Sequence, residues 1–398
     1  MKILLVTSHF YPETFKANDM AFELARRGHD VTVLAPIPDY PQGHFYKGYG
    51  IFKRRKETVK GVRVIRTLVI PRHDGSAKWI AANYLSYTWF SIIKALRLGL
   101  TKKYDAVVVH ETSPVMVGLP AVIIKRMQRI KSHFWVLDLW PESLEAAGGI
   151  RNKFVLGAFR KLTKWIYRNS DTILIGSKGF RESINKMGDF DEKIKYFPNW
   201  VDRISPPSSP GHYFTFPEGF NIVFTGNIGE AQDMEHILEC ASMLKGKGIN
   251  FILVGKGRKL DYVRHYVKRN HLDNVFLPGS FPRNAMPYFY ENADLLFLSL
   301  KKSKIFSLTV PAKLQAYMTS GKPVVAMMDG EGAALIREAD CGWSVDAENP
   351  EALADLLLKL SKESKEMLQA KGMNGKTFSD TNYNFTSCID NLEDCLYS

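Results

Sequence analysis

The sequence predicts an α/β protein made of two doubly wound domains, and three observations carry that prediction. Short β-branched runs alternate with longer stretches whose apolar residues recur every three and four positions, as parallel strands wrapped by helices require. The alternation stops at a Pro- and Ser-rich stretch after Trp200 and then restarts. A chain of 398 residues is long for one core and comfortable for two.

In the first half the predicted strands are 2–8, 30–35, 62–68, 106–110, 134–139 and 172–176, with helices such as 19–27 and 153–168 between them. Pro206, Pro207, Pro210 and Gly211 can continue neither a helix nor an interior strand, so 201–219 reads as a linker. Strands are then predicted at 221–225, 250–254, 275–277, 295–300 and 323–327, with a helix at 234–244 among those between them. The domain layout is therefore 1–200, linker, 220–380, and a closing helical segment 381–398 that could pack back on the first domain. In open α/β sheets ligands bind beyond the carboxyl ends of the strands, so functional residues belong just after these strands.

Charge is divided unevenly. Residues 1–200 hold 33 Lys and Arg against 17 Asp and Glu, a net +16, whereas 201–398 hold 21 against 24, a net −3. A basic half beside a near-neutral one points to an anionic surface or ligand on one domain; nucleic acid, anionic lipid and a phosphorylated substrate all fit that fact alone. Cys240, Cys341, Cys388 and Cys395 form no C-x-x-C pair, which argues against a disulfide framework or zinc site and for a reducing cytoplasm. The apolar run Ile3 to Val6 is too short for a signal-peptide core, and no apolar stretch reaches the roughly 18 residues that span a bilayer.

Two glycine turns follow neighbouring strands. Gly226-Asn227-Ile228-Gly229 precedes the expected helix at 234, and Gly255-Lys256-Gly257-Arg258 repeats the arrangement with two cations. Glycines there let backbone N–H groups approach a diphosphate, and a helix N-terminus favours its charge. An ordinary strand–helix turn is the bland alternative for either one alone; two at adjacent strand ends favour a nucleotide site. Pro311 suits the first turn of a helix. Lys313 would then oppose the helix dipole unless an anion is bound.

The run from Val310 to Met318 with Gly321-Lys322-Pro323 resembles the signature of glycosyltransferase family 4, a retaining family with the GT-B fold, whose two Rossmann-like domains face a central cleft. Phe10-Tyr11-Pro12-Glu13, Leu24 to Val31, Asp138-Leu139-Trp140-Pro141-Glu142, Gly226 to Gln232 and Phe281 to Asp294 are similar to the bacterial branch for colanic-acid, O-antigen and L-fucosamine transfer. The matches span nearly the whole chain in order. The resemblance implies a nucleotide-sugar donor, most simply UDP-linked, and a polyprenyl-diphosphate-linked saccharide acceptor for surface polysaccharide. It implies no cofactor, no metal and no nucleic acid. His110 and Asp138 are the implied catalytic pair. Glu13, Asn18 and Asp19 fall on the acceptor side.

Departures are concentrated at the donor. Where many members carry two glutamates eight positions apart, this chain has Ser307 and Gln315; the usual diphosphate Arg and Lys align with Asn227 and Gln232. Two glycines common after strand one are replaced by Phe15-Lys16-Ala17-Asn18-Asp19. The donor set is accordingly Gly226, Asn227, Gly229, Lys256, Arg258, Ser307, Lys313, Leu314 and Gln315, with Lys256, Arg258 and Lys313 replacing the lost cations.

Two positions stay open. Asp138 ends an apolar strand, where a carboxylate is either tied by a structural hydrogen bond or part of a site. Residues 79–97, rich in aromatics and flanked by Lys78, Lys94 and Arg97, read either as a core helix or as a segment that, with Lys53, Arg54, Arg55 and Lys56, meets an anionic membrane surface. The second would make the protein peripheral on the cytoplasmic face. Asp189-Phe190-Asp191 spells the D-x-D of metal-dependent transferases but lies in a polar stretch after a helix, so no metal site is expected there. A two-domain nucleotide-sugar 2-epimerase and an inactive homologue serving as a membrane-bound partner subunit remain as rivals. A dinucleotide dehydrogenase is weaker, because no strand–G-x-G-x-x-G–helix unit is present.

Overall fold

Residues of the central strands are almost all buried, as a parallel sheet covered on both faces requires. The computed structural model describes residues 1–146, 152–201 and 211–398. They group into two compact units, Met1–Pro198 with Cys388–Ser398, and Asn199–Ser387.

The first unit holds β1 (Lys2–Thr7), β2 (Asp30–Pro36), β3 (Lys56–Val59), β4 (Val62–Thr67), β5 (Ala106–Glu111), β6 (Lys131–Val136), β7 (Thr172–Ile175) and β8 (Ile194–Tyr196). Their order in the sheet is β3-β4-β2-β1-β5-β6-β7-β8. All pairs are parallel except β3 with β4. The second unit holds β9 (Phe220–Asn227), β10 (Ile249–Lys256), β11 (Val275–Gly279), β12 (Leu295–Ser299), β13 (Val324–Met327) and β14 (Gly342–Val345), ordered β11-β10-β9-β12-β13-β14 and parallel throughout. Alternation along its strands splits the core in two. Phe224, Phe251, Leu253 and Phe297 pack with Ile237 and Leu357, whereas Val223, Ile252, Leu296 and Leu298 pack with Leu314, Tyr317 and Ile336. Both units are thus Rossmann-like.

Three strands escaped the sequence pattern: β3, β8 and β14. The strand predicted at 134–139 begins and ends three residues earlier, so Asp138 stands in the loop beyond β6 rather than in a strand. The segment read as a linker is not all spacer. Residues 202–210 lie outside the described residues, but Tyr213 and Phe216 each pack against Tyr288 and Phe289 in the second unit. The closing segment is the end of a helix Lys365–Asn382 followed by a helix Phe385–Tyr397. In the latter, Glu393 accepts from Arg27 and sits 2.6 Å from His29 Nε2.

Candidate functional site

In the second unit the site is made largely of backbone. Gly226 is the second-last residue of β9 at φ +126°, and Gly255 the second-last of β10 at φ +155°. A Cβ on Gly255 would meet the Gly226 carbonyl oxygen at 1.8 Å, and one on Gly257 would meet the Ile228 oxygen at 2.1 Å. Ile228 N–H donates to the Lys256 carbonyl at 2.9 Å, and Lys259 N–H to the Ile228 carbonyl at 3.0 Å. The two turns are therefore locked into one ledge that only glycine permits.

Lys313 crosses this ledge. It lies in the first turn of the helix Ala312–Thr319, and its Cε would be 3.0 Å from a Cβ on Gly226. The ammonium rests 3.9 Å from the Phe224 ring centroid. Among the described residues no hydrogen bond or ion pair reaches it, and burial pulls it down to about 7. A cation in a helix first turn, desolvated and without a carboxylate, is unfavourable until an anion arrives. Lys256 and Arg258 lie on the second glycine turn, both exposed.

Several donor residues stand differently from expectation. The helix after the first glycine turn begins only at Met234. A 3₁₀ turn, Glu230–Gln232, intervenes, and the N-cap is Asp233, a carboxylate that meets His236 Nδ1 at 2.8 Å. Leu314 is fully buried among Tyr317, Met318 and Ala326, and its N–H donates to the Pro311 carbonyl; it belongs to the core. Gln315 is buried and donates from Nε2 to the Asn199 carbonyl at 3.0 Å. Ser307 Oγ donates to the Lys304 carbonyl, while its own carbonyl approaches Gly330. Asn227 is exposed beside Gly229 and Gly257.

The first unit answers with side chains, gathered beyond β1, β2, β4, β5 and β6. His110 lies near the end of β5, buried, with Nδ1 3.2 Å from Thr7 Oγ1. Burial holds its imidazole down at about 3, which makes it a neutral hydrogen-bonding group. Asp138 accepts from the hydroxyls of Ser113 and Ser143. Ser113 Oγ in turn accepts from Trp140 Nε1 at 3.0 Å. Glu111, buried next to them, accepts from the backbone N–H of Ser113 and of Asp138 at 3.2 Å; burial, and then the Asp138 charge, pushes its carboxyl well above the usual range.

Glu13 organises a second cluster. Its Oε1 accepts from the N–H groups of Asp39 and Tyr40, both at 2.8 Å, and its Oε2 lies 2.8 Å from His9 Nδ1. Asn18 is buried and binds backbone only, accepting from Tyr11 N–H and donating to the Glu13 carbonyl. Asp19 is exposed on the helix Lys16–Arg26. His9, Asp39 and Arg72 were missed by sequence reasoning, although each stands within a few residues of the end of a predicted strand; Asn83 and Tyr84 fall in the segment 79–97, read as a core helix or a membrane-facing one. Asp191 pairs with Arg181 at 2.6 Å on the exterior. Among the described residues no group of three His, Cys, Asp or Glu is arranged to hold a metal ion.

Two Rossmann-like units with these sites define the GT-B class of glycosyltransferase. Residues 16–200 match the glycosyl transferase 4-like domain and residues 214–378 the glycosyl transferases group 1. Together these span most of the chain, and it belongs to this glycosyltransferase family. It is similar to the probable glycosyltransferase WbjE of Pseudomonas aeruginosa, 24% identical over 69% of this chain and 70% of that one. It is also similar to the colanic acid biosynthesis glycosyl transferase WcaI of Escherichia coli, 21% identical over 81% and 82%. In fold it resembles sucrose-phosphate synthase from Thermosynechococcus elongatus, with TM-score 0.73 and 12% identity over 99% and 98% of the two chains. It also resembles Anabaena Alr3699/HepE, solved in complex with UDP, with TM-score 0.69 and 14% identity over the whole of both.

Proposed function

We propose that this glycosyltransferase moves a sugar, with retention and without a metal ion, from a UDP-linked donor to a polyprenyl-diphosphate-linked saccharide in bacterial surface polysaccharide synthesis. One observation carries the donor side: the desolvated Lys313 ammonium, without a partner among the described residues, beside the Gly226–Gly255 ledge. Charge develops on the departing diphosphate, and preorganised cations and N–H groups aimed at it supply acceleration. Lys256 and Arg258, on the same ledge, add to that field. The UDP in the similar Anabaena protein and the polysaccharide role in the name of WcaI support the donor and the pathway class. His110 and Asp138 remain the groups proposed to face the reacting sugar, His110 as a neutral hydrogen-bond partner.

A panel of UDP, GDP and dTDP sugars in a thermal-shift assay tests this, since selective binding raises apparent stability by mass action. UDP sugars should stabilise most, and transfer should survive excess EDTA. Indifference to all three nucleotides would overturn the donor assignment. Binding without turnover on any acceptor would favour the inactive partner subunit, consistent with Ser307 and Gln315 standing where glutamates are usual.

The helix Ala77–Thr101 supports work at a membrane surface. It turns Tyr87, Ser91, Ala95 and Leu98 inward and exposes Leu85, Trp89, Ile93, Leu96 and Leu100; Trp89 is 65% and Leu100 81% accessible. Lys94 is held below the usual lysine range by burial and then by Arg55, Arg97 and Lys56, so a basic cluster adjoins the apolar stripe. No described helix is long and apolar enough to cross a membrane. An apolar face rimmed by cations suits the surface of an anionic leaflet. Phosphatidylglycerol vesicles should sediment the protein at low salt, and Trp89→Ser should weaken the part that survives high salt. Protein that stays in the supernatant at low salt would refute the membrane reading.

A further inference from the structure

Arg72 lies in the loop after β4; the Asp39 charge is close enough to be felt, but among the described residues no carboxylate forms an ion pair with the guanidinium. Its guanidinium lies over two phenol rings, Tyr40 at 5.1 Å and Tyr84 at 5.5 Å from Cζ to the centroids. Nη2 is 3.1 Å from His9 Nε2, and Nε donates to Asn83 Oδ1 at 3.4 Å. A guanidinium only donates, so His9 Nε2 must accept and its Nδ1–H must donate to Glu13. That fixes the imidazole tautomer.

Every contact around the arginine is itself anchored. Glu13 Oε1 binds the N–H groups of Asp39 and Tyr40, which anchors the Tyr40 backbone, while the Tyr40 ring packs against His9 and Phe15. Asp39 Oδ2 accepts from Arg72 N–H at 2.7 Å and from Asn83 Nδ2 at 3.1 Å, which orients the Asn83 oxygen toward Nε. Asn83 also donates to the Ile70 carbonyl at 2.8 Å. His9 stacks on Phe15 at 4.4 Å. The hydrogen bonds of both carboxylates in the cluster go to backbone N–H groups, Asn83 and His9, and among the described residues no carboxylate reaches the guanidinium. The Nη1 donors meet no described residue.

A half-buried arginine is ordinarily paired. Here the fold holds a planar fork of donors through Nε and Nη2, against two phenol rings, and leaves Nη1 without a hydrogen bond to any described residue. Such a fork matches two oxygens of a phosphoryl group. We infer that Arg72 binds a phosphoryl oxyanion, the one carried by the acceptor substrate. The inference rests on the acceptor reading above only for which molecule brings the phosphate. The donor's diphosphate is assigned to the ledge of the second unit.

Two measurements separate these points. Inorganic pyrophosphate is titrated calorimetrically into the full chain with UDP saturating, so that the donor ledge is filled. Wild type should bind it, Arg72→Gln at least tenfold more weakly, and Arg72→Lys in between, because charge without the fork is a partial substitute. In parallel, pyrophosphate should protect Arg72 of the wild type from phenylglyoxal, read by mass spectrometry; that arm holds even if the Gln variant fails to fold. Equal affinity in wild type and Arg72→Gln, no protection, or loss of pyrophosphate binding once UDP is present would each overturn the site. With acceptors, Arg72→Gln should raise KM at least tenfold for a lipid-diphosphate saccharide. KM for the donor, and KM for the same saccharide without phosphate, should stay unchanged. Unchanged KM for the diphosphate acceptor would overturn the assignment to the acceptor. Pyrophosphate binding that depends on Arg72 in a chain that transfers nothing would leave the phosphoryl site standing and overturn the proposed function instead.

Discussion

The ends of the two sheets are built on opposite plans. Beyond β9 and β10 the chain uses glycine backbone, sets Lys256 and Arg258 on it, and strands one cation, Lys313, without a partner among the described residues. Beyond β1, β2 and β5 it uses charged and polar side chains, nearly all buried, each tied to another group. A buried polar network is stabilising only when every member is satisfied, so in the first unit the proposed site residues are held by the bonds that hold the fold. In the second, an ammonium without a partner among the described residues works against the fold, and under the proposed function it gains one only when a diphosphate is bound. Position in the fold is the same; the energetic role is reversed.

The difference is open to test by removing one residue from each. Glu13→Ala would leave the N–H groups of Asp39 and Tyr40 and the His9 ring without their acceptor, in a site where Glu13 is 3% accessible. A loss of about 3–5 kcal/mol is expected, the range for breaking a buried charged contact, read as a lower urea midpoint. Glu13→Gln keeps one amide oxygen and should lose roughly half of that. UDP affinity, assigned by the proposal to the ledge of the second unit, should not move in folded protein at low temperature. A fully stable Glu13→Ala would mean that the cluster is not part of what holds the first unit together.

These opposite plans also decide what could be read from sequence. The ledge was legible because Gly226 to Gly229 and Gly255 to Arg258 are contiguous motifs after strongly apolar strands. The Arg72 cradle was not, because His9, Glu13, Asp39, Arg72 and Asn83 are scattered along the chain and meet only once β1, β2 and β4 are neighbours in the sheet. The alternation of strands and helices predicted both Rossmann-like units, yet missed β3, whose KETV lies at an edge with every second residue exposed. It also missed β8 and β14, three and four residues long. Such short or edge strands carry too few buried residues to impose a pattern. Leu314 shows the converse error: a motif match brought in a neighbour whose side chain faces the core. The segment 79–97 was ambiguous because it does both things at once. Tyr87 donates to the Thr7 carbonyl at 2.7 Å in the interior, while Trp89, two residues on, faces outward.

Lys313 offers the smaller but sharper test, because two of its effects should have opposite signs. Its ammonium is pulled from 10.5 to about 7 by burial, so between those values the unfolded chain binds more protons than the folded one. Stability should therefore rise with pH across that window. The full cost of burying the charge is present below about pH 7 and is relieved as the folded group loses its proton. Lys313→Met keeps the packing volume and removes the charge; it should melt higher than wild type near pH 7, and the gap should close toward pH 10.5. The same variant should bind UDP at least tenfold more weakly, since a charge-assisted contact of roughly 1.5–3 kcal/mol is gone. Pairing with a diphosphate restores the charged form, so wild-type UDP binding at about pH 8, above the folded value, should take up a proton. Calorimetry in two buffers of different ionisation enthalpy reads that uptake directly, and Lys313→Met should abolish it. A variant that is both less stable and equally good at binding UDP would make Lys313 an ordinary packing residue and remove the contrast between the two sheet ends.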